Sequence, residues 1–170
     1  MNQIPADEPL IPRLLASNAL RANLSKHMTL NKMADSKASM ILTASSLIIT
    51  ITLTQYEQLN LATVLLLAVS GLLAVVMSIL AIIPPWHATG STNLFYFRSF
   101  ADLSEEEFCR QFQETILDKQ KLYDAYLHEI YYLGRYRLTR KYALVRNGLW
   151  ILLFGLLSAT GSELVRRLLL

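Results

Sequence analysis

The sequence predicts an all-α membrane protein with three transmembrane helices, an N-terminal hairpin plus a C-terminal span, and a cytoplasmic helical layer. Three observations carry that prediction. Apolar residues make up 53% of the 170-residue chain and charged residues only 17%, which lies on the membrane side of globular usage. The apolar runs Ala38–Thr54, Leu61–Ile83 and Tyr142–Thr160 contain 17, 23 and 19 residues, matching the roughly 17 to 25 needed to cross hydrocarbon as a helix. No strand-like alternation of useful length and no internal repeat competes with the helical periodicity.

The elements follow in order. Residues 1–37 form a polar N-terminal segment, too long and too charged to be a cleavable leader. Within it Leu14, Leu15, Leu24, Met28 and Met33 recur at helical spacings. Residues 38–83 form a transmembrane hairpin whose turn, Gln55 to Asn60, holds no Lys or Arg. Residues 84–141 begin at the breaker Pro84-Pro85, followed by Trp86 at an interfacial position. A helix starts near Ser104, which has capping-box spacing to Glu107. It carries Phe108, Phe112, Ile116, Tyr123, Tyr126, Ile130 and Leu133 as one amphipathic face, expected to pack on the N-terminal segment. Gly134 either ends that helix or is tolerated while Arg135–Lys141 runs on into the third span, and residues 142–170 hold that span and a short tail. Arg146 lies near enough to the span's end to snorkel.

Orientation follows from the placement of Lys and Arg. Five precede the first span, none lies in the hairpin turn, and eight lie in the segment Pro84 to Lys141. The N-terminus and the long middle segment are therefore expected on the cytoplasmic side of an inner membrane. Arg166 and Arg167 in the tail pull mildly the other way.

The first span carries an unusual number of hydroxyls. Ser39, Thr43, Ser46, Thr50 and Thr54 fall within an arc of about 80° of one helix face. The same face extends back through Asp35 to Lys32, which are three apart and able to pair. A second stripe of small residues, Thr63, Ser70, Ala74, Ser78 and Ala81, marks the second span. Such faces let membrane helices approach closely, so contact with the second span or between subunits is the expected use of the hydroxyls. The alternative is that in a homo-oligomer they line a water-accessible path.

Catalysis is not expected. His128 and Glu129 begin an HExxH-like string, but position 132 is Tyr, so the second metal ligand is missing. His27 and His87 are isolated, and the glycines of HATGST lack the Lys of a phosphate loop. Glu105, Glu106 and Glu107 suit a helix first turn. Cys109 alone supports no disulfide, and a net charge of +3 is too small to argue for nucleic acid.

The core ADSKAS at Ala34–Ser39, the stretch NLFYFRSFADLSEEEF, and an aromatic helix ending in the pair Lys141-Tyr142 before a last span together resemble the transmembrane effectors of the Pycsar antiphage systems. The resemblance spans roughly residues 20 to 160. It implies a bacterial defence effector that responds to a cyclic pyrimidine mononucleotide, cCMP or cUMP, made by a partner cyclase, and then impairs the inner membrane. No cofactor beyond that activating ligand is implied. A phosphate and a flat base call for cations beside aromatic rings, which makes Arg135, Arg137, Arg140 and Lys141 next to Tyr131, Tyr132 and Tyr136 the first candidate cluster, and Arg98 beside Phe97 the second. A non-enzymatic membrane scaffold that recruits a cytoplasmic partner is the alternative function.

Overall fold

The computed structural model describes residues 10–83, 94–95 and 100–169, with side chains from residue 14 onward. Among the described residues every regular element is helical. In order these are α1 (Leu10–Thr54), α2 (Leu61–Ile82), α3 (Glu105–Leu117), α4 (Lys119–Tyr132), a π-helical segment (Leu133–Leu138) and α5 (Thr139–Leu169). Three of the helical stretches are long and apolar enough to cross a membrane. Pro84, Pro85 and Trp86, expected to open the middle segment, lie outside the described residues.

The chain forms two compact units. One comprises Met1–Leu30 and Pro85–Arg137, the other Asn31–Pro84 and Leu138–Leu170. The second unit holds the spans, and small residues build it. Its core is Ala38, Ile41, Ala74, Ala81, Val145 and Leu152, with Ile48 and Leu144 packed against it. Helix α5 buries Val145, Gly148, Leu152, Gly155 and Ala159, alternating three and four residues apart, the spacing that keeps one seam facing a partner helix. Helix α2 buries Thr63, Ser70, Gly71, Ala74, Ser78 and Ala81, so the small-residue stripe expected there is its packing face.

The closeness of this packing is measured at the glycines. A Cβ on Gly155 would sit 2.3 Å from the Ser70 Cβ, and one on Gly71 would sit 2.8 Å from Ile49 Cγ1. Three of the buried hydroxyls bond within their own helices, Ser70 to the Leu66 carbonyl at 2.7 Å, Ser78 to Ala74 at 2.8 Å and Thr52 to Ile48 at 2.7 Å, while those of Ser45 and Thr63 have no partner. The backbones therefore approach without stranding the first three donors in a dry interior.

In the other unit, Phe108 stacks on Phe112 at 5.4 Å between centroids, and Phe95 stacks on Tyr126 at 5.1 Å. Ser104 caps α3 as expected, its hydroxyl accepting from the Glu107 amide at 3.3 Å. Glu107 itself turns forward to Gln111 and Arg110, and their hydrogen bonds hold its carboxyl below the usual carboxylate range.

The amphipathic helix expected from Ser104 to Leu133 is instead broken at Asp118. The Asp118 carboxylate accepts from the amides of Gln120 and Lys121 and starts α4 as a new helix. Ile116, ahead of the break, is exposed. A second correction concerns the N-terminal segment, where Leu14, Leu15, Met28 and Met33 are exposed and Leu20, Leu24 and His27 are half-buried. Of the five apolar residues selected by spacing, Leu24 alone lies on the inward side, beside Leu20 and His27.

Candidate functional site

Helix α1 has two faces of different character. From Asn31 it turns Ala34, Ala38, Ile41, Ser45 and Thr52 inward, all buried, with Asn31 and Ile48 half-buried in the same register. Ser39, Thr43, Ser46, Thr50 and Thr54 lie nearly opposite at 100° per residue, and all five are exposed. The expectation that this stripe packs on the second span is therefore overturned. The buried seam wins because alanine, with no polar group to satisfy, lets α1 close on its neighbours. The exposed threonines return their hydroxyl protons to their own helix, Thr43 to the Ser39 carbonyl at 3.0 Å, Thr50 to Ser46 at 2.9 Å and Thr54 to Ile51 at 3.0 Å. Their oxygen lone pairs still face outward.

At one end of the spans the two faces meet in a charged junction. The Lys141 ammonium, on the first turn of α5, lies 2.6 Å from Asp35 Oδ1 and donates to Asn31 Oδ1 at 2.9 Å. Only 12% of the Lys141 side chain is exposed, against 39% for Asp35. Lys37 meanwhile stands 5.6 Å from the centroid of the Tyr142 ring, a cation–π distance. Asp35 and Lys37 thus reach Lys141 and Tyr142, and α1 is tied to α5 on both sides. Asp35 takes Lys141 as its partner in place of the expected Lys32.

At the opposite end Arg166 donates from Nε to Glu163 Oε1 at 3.1 Å and from Nη2 to the Gln58 carbonyl at 3.3 Å. The third span is anchored there to the hairpin turn. That gives Arg166 a structural partner, which the charge count alone could not supply.

A family model described as the Pycsar effector protein domain matches residues 19–165. The chain belongs to this family. It is therefore an antiphage defence effector and a membrane protein, with the character of a membrane effector rather than a catalytic domain. No curated protein and no solved structure matches it. In this Pycsar effector the ADSKAS core and the Lys-Tyr pair, more than a hundred residues apart in sequence, are in direct contact.

The candidate ligand residues are distributed differently from their order in the chain. Tyr136 packs edge-on against Tyr131 at 6.2 Å and tilted against Tyr132 at 5.7 Å. Arg135 and Tyr136 are exposed, Tyr132 and Arg137 half-buried, and all lie in the unit that contains α3 and α4. Arg140, exposed, and Lys141, committed to Asp35, belong to the unit of the spans. Arg98 and Phe97 lie outside the described residues. No group of three or more His, Cys, Asp or Glu side chains is placed to hold a metal among the described residues.

Sequence reasoning missed the π-helical segment Leu133–Leu138 that runs from α4 into α5. Gly134, inside it, faces His27, where an added Cβ would lie 3.2 Å from Nε2. The glycine is the one signal that marks the place. The helix continues through it in a wider register, a form that recurs at functional sites.

Proposed function

We infer that this effector senses a cyclic pyrimidine mononucleotide, cCMP or cUMP, supplied by a partner cyclase, and answers by impairing the inner membrane. The observation that carries the reading is the Asp35–Lys141 junction, a charged pair at the mouth of the spans on the element that leads directly from the tyrosine-rich segment. The N-terminus and the middle segment are cytoplasmic in this account, so the nucleotide meets the cytoplasmic helices first. Arg135 supplies the phosphate donor, and Tyr131, Tyr132 and Tyr136 supply the stacking surface.

Converting a π-helical turn to an α-helical one removes a residue from the register and turns the following helix by about 100°. Such a turn in Leu133–Leu138 would carry Lys141 away from Asp35. The ligand drives this only to the extent that it binds the turned state more tightly. Released from α5, α1 associates with copies of itself through its hydroxyl stripe, where outward lone pairs hydrate a path through the bilayer. Growth arrest or death of the infected cell follows from the leak.

The test uses energised inverted inner-membrane vesicles from cells making this protein without a cyclase, with a potential-sensitive dye. Addition of cCMP or cUMP is expected to collapse the potential, and cAMP to leave it. If neither pyrimidine changes it, the reading that this effector senses a cyclic pyrimidine and impairs the membrane fails, and recruitment of a cytoplasmic partner takes its place.

A further inference from the structure

One face of α5 carries Tyr142, Arg146, Trp150 and Phe154, which recur every fourth residue and so lie one turn above another along the helix. At 100° per residue this face is turned away from the buried seam of Val145, Gly148 and Leu152. Arg146 is exposed, and below it Trp150 and Phe154 are more than half exposed with their rings stacked at 5.4 Å. At the head of the face the Lys37 ammonium, from α1, stands over the Tyr142 ring. The face is thus cationic at the membrane surface and aromatic beneath it, the profile that an anionic amphiphile fits.

Two exposed cations from different helices converge there. Arg146 follows Tyr142 by about 6 Å along the axis, and helical side chains lean toward the N-terminus of their own helix, which for α5 is the end that meets Lys37. Neither Lys37 nor Arg146 has a carboxylate partner among the described residues. The spans supply none: Asp35 is the one acidic residue in Asn31–Thr54, Leu61–Ile82 and Thr139–Ser162, and Lys141 holds it. The pair is open to an anion from outside the chain, at the depth where a span meets the headgroups.

We propose that Lys37 and Arg146 form a site for an anionic phospholipid such as phosphatidylglycerol, in the leaflet at the Lys141 end of the spans. One phosphodiester bridges α1 and α5, taking the guanidinium fork of Arg146 and the ammonium of Lys37, and an acyl chain lies over Trp150 and Phe154. A zwitterionic headgroup offers the same phosphate, but its own cationic group then stands beside Lys37 with no carboxylate to receive it. The selectivity of the site lies in net charge, and it does not depend on nucleotide sensing.

Native mass spectrometry of the full chain, released from nanodiscs holding equal parts phosphatidylglycerol, phosphatidylethanolamine and phosphatidylcholine, tests this. A basic residue at an anionic membrane surface is worth roughly fivefold in affinity, so phosphatidylglycerol should be retained at least about fivefold over either zwitterionic lipid. Arg146→Gln and Lys37→Gln should each remove most of that preference. Lys32→Gln should leave it, because Lys32 is exposed on α1 but lies about 140° round the helix from Lys37. Equal retention of the three lipids by the unaltered protein overturns the proposal, whether or not the variants fold. So does a loss in Lys32→Gln as large as that in Arg146→Gln, the mark of a diffuse basic belt, and so does displacement of phosphatidylglycerol by cCMP, which would assign the two cations to the nucleotide.

Discussion

Helix α1 carries hydroxyls on two sides, and their surroundings differ completely. Ser45 and Thr52 are buried in a seam with Ala34, Ala38 and Ile41, whereas Ser39, Thr43, Ser46, Thr50 and Thr54 are exposed on the far side. The comparison teaches that hydroxyl number does not choose the packing face of a membrane helix. Closeness of approach does, because every additional atom at the seam holds two backbones apart. The richer hydroxyl face is left to lipid, to water or to another copy of the chain.

The largest effect is therefore expected from bulk on the seam. Ala38→Leu or Gly155→Val should destabilise the spans by about 3 kcal/mol, since Ala38 is fully buried and any Cβ at Gly155 collides with Ser70. Unfolding in mixed micelles, followed by circular dichroism, reads that loss. Gly161, with nothing within 4 Å of its added Cβ, should accept alanine with a change below about 0.5 kcal/mol in the same assay.

Next comes the charged junction, where the two partners are not equivalent. Asp35→Ala leaves a Lys141 ammonium that is only 12% exposed without its anion, and should cost about 3 kcal/mol. Lys141→Met leaves Asp35, at 39% exposure, able to hydrate, and should cost about 1 kcal/mol. Equal losses in the two variants would show that burial does not set the strength of this pair. On the proposed mechanism Lys141→Met should also shift the vesicles toward leakage without nucleotide, because the junction no longer holds α1 to α5.

Much of this architecture is legible in the sequence, and what is not has a physical reason. Run length and polar flanks locate three spans, and the Ser104 cap shows in its spacing to Glu107. The small-residue face of α2 reads correctly because its serines and alanines are the buried ones. On α1 the same reasoning selects the wrong side, since Asn31, Ala34, Ala38, Ser45 and Thr52 form a seam without a strong apolar signal. The Asp35–Lys141 contact joins residues 106 apart, which no local pattern encodes. The break at Asp118 was available from its capping chemistry ahead of Lys119-Gln120-Lys121 and was hidden by the aromatic periodicity on either side. The π register of Leu133–Leu138 has no composition of its own, and only Gly134 hints at it.

The smallest expected change in stability belongs to the exposed face, and it accompanies the change in activity that matters most. Thr43→Val, Ser46→Val and Thr50→Val together remove outward lone pairs from exposed side chains, so stability should move by less than about 0.5 kcal/mol. The direct test of the account is the dye signal from energised inverted vesicles carrying this triple variant, given the same cCMP or cUMP as the unaltered protein, with nucleotide binding measured in parallel by calorimetry. The account predicts retained binding and no collapse of the potential. Undiminished collapse with the hydroxyls gone would contradict it.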